Sequence, residues 1–371
     1  MSSYEKIFSA NIRKYRKQLG FTQKMLADAT GYSEKTVSKW ETDGCIPQID
    51  SLIRIASVFR INLDTLFQEK EPMYFLGIDG GGTKTAFALA DPTGTILRTL
   101  QLGPCNPFDI GIENSKNVLS NGLAQICNGI PLSSVVLFAG LAGGKAGTFA
   151  DPLTAFFNEF RFAAFQIGSD NENIIAASLY GRDGITMIMG TGVCSYVVKN
   201  NTYHRIAGWG YLFDEGGSAY NIGREALSSY FSSCDGSGKE TSLSRRIEEM
   251  TGDSPSVLLN NLYEGGKKVI ASYARLVFEE AEKGDAVSLS ILHRNMEEAA
   301  RIIHAARAHF PDDAAVPVIL AGGLTEQAPL LPMLKEALGN TENLHIEILS
   351  VPPVEGALQK ARELWKEECQ I

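Results

Sequence analysis

The chain is poor in the residues that hold metals and disulfides. Its six cysteines, Cys45, Cys105, Cys127, Cys194, Cys234 and Cys369, form no Cys-x-x-Cys pair. That argues against a zinc ribbon and for reduced, structural thiols. The five histidines add nothing to a metal site, because His304 and His309 miss the i, i+4 spacing of one helix face. No apolar run approaches the roughly eighteen residues that a membrane span needs, and no tract is of low complexity. Met1-Ser-Ser-Tyr-Glu-Lys-Ile-Phe8 carries charge among its apolar residues and lacks a signal-peptide core. These absences predict a cytoplasmic protein without a membrane partner.

What is there is a globular composition. A chain of 371 residues, 44% of them hydrophobic, is long enough for two or three domains with proper cores. Its charge is uneven: residues 1–70 hold 11 Lys/Arg against 8 Asp/Glu, and the remainder 23 against 35. The basic excess belongs to the N-terminal seventy residues.

Those residues predict five short helices. Phe8, Ile12, Tyr15 and Leu19 recur at helical spacing, and Gly20 closes that helix. Thr22 caps a second helix over 23–29, Gly31 turns the chain, and Ser33 caps a third running to Glu41. Leu52, Ile55, Ala56 and Phe59 mark a fourth, and Asn62 caps a fifth around 63–67. The string Thr22-Gln-Lys-Met-Leu-Ala-Asp-Ala-Thr-Gly-Tyr-Ser-Glu-Lys-Thr-Val-Ser-Lys-Trp-Glu41, with Ile46-Pro-Gln48 and Leu66-Phe67, resembles the Cro-like, XRE-type helix-turn-helix domains. The resemblance implies a recognition helix in the major groove, with Ser33, Glu34, Lys35, Thr36, Ser38 and Lys39 at base edges and phosphates and Gln23 at the DNA backbone. Val37 and Trp40 share the apolar stripe of that helix and should face inward. So small a net charge implies that two copies pair as a homodimer across a palindromic double-stranded operator. A helical protein-interaction module is the alternative. Gln68-Glu-Lys-Glu-Pro72 reads as a short charged hinge, tight enough to pass a ligand-driven change to the DNA-binding pair.

From residue 73 the element order repeats. Strands at 74–79, 85–91 and 95–102 precede a helix near 112–128, a strand at 135–139, a helix at 151–160, a strand at 165–168 and a helix at 171–180. A second run follows, with strands near 185–189, 193–198 and 203–207 and a helix from about 217. Extra helices between 241 and 309 interrupt it before a strand at 317–321, helix 327–338, strand 345–350 and helix 354–368. Two mixed sheets covered by helices, packed side by side, leave a cleft between them. Gly77-Ile-Asp-Gly-Gly-Gly-Thr-Lys-Thr85 and Met189-Gly-Thr-Gly-Val193 each join two strands, one in each half. Such turns offer bare backbone N–H groups and hydroxyls to phosphate oxygens.

With Val318-Ile-Leu-Ala-Gly-Gly-Leu324 and Pro352-Pro-Val-Glu-Gly-Ala-Leu358, these motifs resemble the actin/hexokinase/Hsp70 superfamily. Within it they are similar to the N-acetylglucosamine kinase and BadF/BadG-type ATPase family, over residues 73 to about 368. The fold expected is an all-α helix-turn-helix domain (1–70) followed by an α/β duplicated ribonuclease H-like, actin-like ATPase domain (73–371). Lobe one would take about 73–181 plus helix 354–368, and lobe two about 182–350. ATP and Mg²⁺ are the implied cofactors and an amino sugar the implied substrate.

In that frame Asp79 holds Mg²⁺ through water over the phosphates, while Gly81, Gly82, Thr83 and Lys84 meet the phosphates themselves. Asp-Gly-Gly also suits an ordinary hairpin. Gly190, Thr191 and Gly192 form the second phosphate loop, with Thr191 near the sugar as well, and Gly322 and Gly323 let the backbone approach adenosine. The resemblance makes Asp170 the base that takes the proton of the attacking sugar hydroxyl; the plain alternative is a helix N-cap. It makes Asn106, Gly208 and Trp209 sugar-facing. The acidic pair departs from the family's Gly-Asp-Glu-Gly-Ser pattern: in Phe213-Asp214-Glu215-Gly216-Gly217-Ser218 it is shifted by one residue, so Glu215 falls where an aspartate grips a sugar hydroxyl. Asp214 compensates if the turn is reshaped. Gly236-Ser-Gly-Lys239 resembles a P-loop end, but Ser233 and Glu240 stand where Gly and Ser/Thr belong.

Three functions stay open at this level. The leading one is a DNA-binding regulator that phosphorylates an amino sugar. A catalytically silent, sugar-sensing transcription factor and an activator-type ATPase holding an iron–sulfur cluster are the others, the last without a suitable cysteine pair.

Overall fold

The structure is a computed structural model and describes residues 3–42, 45–67, 73–145, 147–200 and 202–368. The hinge at 68–72 and Cys369 lie outside the described residues.

Four helices, α1 (Ser3–Gln18), α2 (Gln23–Thr30), α3 (Glu34–Thr42) and α4 (Ile49–Phe59), precede a 3-10 turn at Leu63–Leu66. Thr22 Oγ1 accepts from Met25 N at 3.1 Å, and Gly31 ends α2 with φ 78°. Ser33 Oγ accepts from Thr36 N at 3.2 Å. The expected fifth helix is only that 3-10 turn. Asn62 makes no cap bond there, and Asn11 Nδ2 donates to the carbonyls of Thr65 (3.3 Å) and Leu66 (3.2 Å), which a longer helix would use. Phe8, Ile12, Leu26, Val37, Trp40, Ile55 and Leu66 form the core of this unit.

Beyond residue 73 the chain builds two sheets. β1 (Tyr74–Gly80), β2 (Thr85–Ala90) and β3 (Ile96–Leu102) form a meander. Then come the short α5 (Pro107–Ile110), α6 (Ile112–Ile126), β4 (Val135–Leu141), α7 (Gly147–Asn158), β5 (Ala164–Gly168) and α8 (Asp170–Leu179). The second half begins with β6 (Gly184–Met189), β7 (Val193–Lys199), β8 (Thr202–Ile206) and α9 (Ala219–Cys234). Four helices are then inserted: α10 (Ser242–Thr251), α11 (Pro255–Ser272), α12 (Ala274–Glu282) and α13 (Ala286–Arg307). β9 (Val316–Ala321), α14 (Leu330–Leu338), β10 (Leu344–Ile348) and α15 (Pro353–Glu368) complete it.

The strand orders are β3-β2-β1-β4-β5 and β8-β7-β6-β9-β10, the same order twice. In each sheet the first three strands pair antiparallel and the later two join in parallel. This is the duplicated, two-lobe actin-like ATPase fold preceded by a helical unit. β4 is buried along its whole length, as a strand covered by helices on both faces must be. The helix expected at 327–338 begins only at Leu330, behind a 3-10 turn at Gly323–Glu326. Among the described residues no helix is long and apolar enough to cross a membrane.

α15 is last in the chain but packs on the first sheet, burying Ala357 and Leu358 against Phe75, Val136 and Phe138. Two glycines permit that docking. A Cβ at Gly77 would lie 2.7 Å from Leu358 N, and one at Gly356 would lie 1.9 Å from Asn173 O and 2.6 Å from Ala177 N. Gly356 thus sets the closeness of α15 to α8. Replacing a helical glycine by alanine gains about 1 kcal/mol of propensity, whereas a backbone clash costs roughly 1–3 kcal/mol or more. Gly356→Ala should therefore lower the urea midpoint; a raised or unchanged midpoint would show that α15 is not seated against α8.

Candidate active site

The carboxyl ends of the central strands carry the glycine turns, the position where open α/β sheets bind ligands. Beyond β1, Gly81 N donates to Lys84 O at 3.0 Å and closes the first turn, leaving Thr83 and Lys84 exposed at its tip. Gly80 is hemmed in: a Cβ there would lie 2.4 Å from Cys105 Sγ. Beyond β6, Gly190 N donates to Gly192 O at 2.9 Å, and the carbonyls of Gly190 and Thr191 accept from Ala219 N and Tyr220 N at the start of α9. A side chain at Gly190 or Gly192 would meet open space, so the bareness of this backbone is not required by packing. Gly322 (φ 100°) backs onto the root of this loop, where a Cβ would lie 2.5 Å from Met189 O, and Gly323 is exposed beside it. Lobe two thus joins Gly190, Thr191, Gly192, Gly322 and Gly323; lobe one holds the Gly81–Lys84 turn.

Asp170 is the first residue of α8, not its cap. Ser169 is the N-cap residue and its N–H donates to Glu172 Oε1 at 3.0 Å, the reciprocal half of a capping box. Asp170 Oδ1 accepts from Asn171 N at 3.1 Å. Burial pushes its carboxyl above the ordinary aspartate value. One turn on, Asn173 Nδ2 donates to Asp79 Oδ1 (2.7 Å), Gly140 O (3.1 Å) and Ile78 O (3.2 Å), tying α8 to the ends of β1 and β4. Burial drives Asp79 up to about 6; the Asn173 bond opposes this, and the charge of Asp170 adds to it. Across the cleft, burial and the charges of Asp170 and Asp214 push the Cys194 thiol up to about 12. Asn171 Nδ2 donates to Tyr196 Oη at 3.1 Å, so α8 also touches lobe two.

Asn106 caps α5: its Oδ1 accepts from Phe108 N at 3.1 Å, and its Nδ2 donates to Asp109 Oδ2 at 2.9 Å. Asp214 gathers the backbone of the tryptophan segment, its carboxylate accepting from Gly208 N (3.2 Å), Trp209 N (3.0 Å) and Gly210 N (2.8 Å). The turn thus folds around Asp214, while exposed Glu215 has Arg301 3.9 Å away. Trp209 is 67% exposed, and the Arg205 guanidinium lies 4.0 Å from its ring centre. A cavity of about 340 Å³ brings Trp209, Asp214 and Glu215 together with Arg301; Asp170 is not among its lining residues.

In the helical unit Ser33, Glu34, Lys35 and Lys39 are exposed on or beside α3, with Thr36 and Ser38 half-buried and Val37 and Trp40 buried as expected. Gln23 is turned inward. Its Nε2 donates to Glu41 Oε2 at 2.9 Å, while Arg16 holds the same carboxylate at 2.5 and 2.9 Å. Burial alone would raise Glu41, but the bonds from Arg16 and Gln23 keep it below the ordinary value.

Sequence reasoning missed Asn173, Arg205 and the short α5. An asparagine abutting the apolar run Ile174-Ile-Ala-Ala was the available signal for the first. The Asn-Pro step at 106–107 was the signal for α5. Arg205 carried none, since a stacked arginine looks like any surface arginine.

Residues 76–359 match the BadF/BadG/BcrA/BcrD ATPase family, and residues 12–66 match a helix-turn-helix family. The chain belongs to the BadF/BadG/BcrA/BcrD ATPase family and carries a helix-turn-helix domain ahead of that region. It is 31% identical over 237 residues to the N-acetylmuramic acid/N-acetylglucosamine kinase of Clostridium acetobutylicum, which covers 62% of this chain and 76% of that one. A protein of Chromobacterium violaceum described as a candidate N-acetylglucosamine kinase superposes with a TM-score of 0.66 at 25% identity, over 78% of this chain and 99% of that one. A ROK family transcriptional regulator superposes over the whole of both chains with a TM-score of 0.55; at 11% identity that speaks to fold alone.

The rise in Asp79 has a measurable sign. Its unfolded carboxyl titrates near 3.8 and its folded one near 6, so between those values the folded protein holds a proton that the unfolded chain has lost. The group's contribution to stability is full below the lower value and lost as pH rises through the upper one. Without nucleotide or metal, Asp79→Asn should gain stability relative to the wild type as pH rises from 4 to 7. Parallel urea-midpoint curves for the two proteins over that range would contradict the assignment.

Proposed function

We propose that the protein is a DNA-binding transcriptional regulator whose two-lobe domain binds ATP and an amino sugar and phosphorylates the sugar. The observation that carries it is the state of Asp170: half-buried, raised in pKa, and released from helix capping by Ser169. A base is most effective when its pKa lies nearer the working pH than that of a free carboxylate. The kinase relatives support the amino sugar, with N-acetylglucosamine or a close hexosamine as the substrate.

Each residue then has a task. Asp170 takes the proton from the attacking hydroxyl. The N–H groups of the Gly81–Gly82 and Gly190–Gly192 turns, with Thr83, Lys84 and Thr191, hold the phosphates from opposite lobes, and Gly322 and Gly323 leave room for adenosine. Asp214 orders Gly208–Gly210, so that the free face of Trp209 meets the pyranose ring, while Asn106 and Glu215 flank the sugar. Asp79 suits magnesium. Two half-buried carboxylates, with the charge of Asp170 raising the pKa of Asp79, favour a cation, and no group of three His, Cys, Asp or Glu side chains among the described residues forms a metal cage. Asp79 would hold the ion through water beside the phosphates, and the ion would neutralise charge on them. On the DNA side, α3 presents Ser33, Glu34, Lys35, Thr36, Ser38 and Lys39 to the major groove. Gln23 supports that helix through Glu41, and two chains pair across the operator. A soluble, cytoplasmic setting fits this work.

The shifted acidic pair favours a second reading, a sugar sensor that does not turn over. Purified protein given Mg·ATP and a panel of hexosamines separates the two. Sugar-dependent ADP release is expected, with Asp170→Asn lowering kcat by about 10²- to 10⁴-fold at little cost in sugar affinity. Sugar binding with no ADP release from any hexosamine would leave the sensor.

DNA binding is tested by titrating a mixed-sequence duplex at several KCl concentrations. Lys35→Ala and Lys39→Ala should each weaken binding and reduce the salt slope by about one. An unaltered slope in both variants would remove α3 from the DNA.

A further inference from the structure

An ion pair spans the two lobes directly over the first glycine turn. Lys268 Nζ, on α11, lies 2.8 Å from Asp109 Oδ2 on α5, 159 residues away in the chain. α11 is interrupted at Gly266 (φ 62°, ψ −155°), two residues before the lysine. Both charges touch the turn. A Cβ at Gly82 would lie 2.7 Å from Asp109 Oδ2, 3.1 Å from Lys268 Nζ and 3.8 Å from Lys268 Cε. A side chain at position 82 would press on the ends of both charged side chains.

That places a cation where the phosphates would come to rest. Lys268 is half exposed and spends one donor on Asp109, so its ammonium has donors to spare. A polyphosphate carries more charge than one carboxylate, and lysine binds phosphate as a compact point charge. We propose that Lys268 is an ATP-phosphate ligand delivered from lobe two across the cleft, and that Asp109 holds its charge in the nucleotide-free protein and gives it up when ATP binds. The inference rests on the reading that the first glycine turn holds ATP phosphates. Lys268, bound to Asp109, draws that carboxyl below the ordinary aspartate value, helped by Asn106 and by the nearby charge of Lys267.

The competing explanation is a plain latch that keeps the lobes together. The two differ in sign. If the pair is only a latch, removing either partner has the same effect on nucleotide binding. If Lys268 binds phosphate, Asp109 is its competitor, and the two removals act in opposite directions.

The experiment is calorimetric titration of the full-length protein with ATP and with adenosine. Lys268→Gln should weaken ATP by about tenfold, the size of one charge-assisted contact, and leave adenosine unchanged. Lys268→Arg should recover most of the loss. Asp109→Asn should tighten ATP by up to about fivefold, the range of an exposed pair. Adenosine binding reports that each variant is folded. Equal shifts in the same direction for Lys268→Gln and Asp109→Asn, or ATP affinity unmoved by Lys268→Gln, would overturn the proposal. No ATP binding by the wild type would overturn both it and the function on which it rests, and would be seen before any substitution was made.

Discussion

The geometry of lobe one depends on the reach of Asn173 from α8 to the ends of two strands. Its amide nitrogen meets Asp79, Ile78 and Gly140 together, and its carbonyl oxygen is buried without a partner. An unsatisfied buried acceptor costs about 1–3 kcal/mol, so the three donated contacts must outweigh it. Space for the amide comes from glycines. A Cβ at Gly140 would lie 2.1 Å from Asn173 Oδ1, and Gly356 lets α15 close against the Asn173 backbone. Since Asp170 stands one turn earlier on α8, the contact that orients Asp79 also fixes Asp170.

The duplication supplies the frame, and its asymmetry supplies the chemistry. Both sheets share one strand order, and each central strand ends in a glycine turn. In lobe one that strand ends with the half-buried Asp79 and Gly80; in lobe two it ends at Met189 and opens into bare backbone. The acids Asp79 and Asp170 therefore belong to lobe one, whereas lobe two has bare backbone at the matching strand end. The helices inserted after α9 belong to lobe two alone, and one of them carries Lys268 back to the first turn.

Two carboxylates withdrawn from water meet opposite fates. Glu41 is buried but gripped by Arg16 and Gln23, and its pKa falls. Asp79 is half-buried with one neutral donor and a like charge nearby, and its pKa rises. A satisfied charge stabilises a fold; an unsatisfied one is poised to take a proton or a cation. By this measure the Arg16–Glu41 pair is a satisfied part of the helical unit, whereas Asp79 and Asp170 keep raised pKa values at the end of β1 and the start of α8.

The alternation of apolar residues, the caps at Thr22 and Ser33, and the glycine turns after β1 and β6 were legible in the sequence because each depends on neighbours a few residues away. So were the repeated element order and the inward Val37 and Trp40. The fifth helix was misjudged because Asn11, some fifty residues earlier, takes its carbonyls. The roles of Asp214 and Glu215 could be raised as a question by counting from Trp209, but only the folded turn could direct Asp214 to the backbone of Gly208–Gly210. The sequence by itself determined most of the elements and their order. The tertiary structure alone decided which charges meet, as in Asn173 with Asp79 and Lys268 with Asp109. Hydrogen bonds and ion pairs act over a few ångströms, and those partners lie 94 and 159 residues apart in the chain.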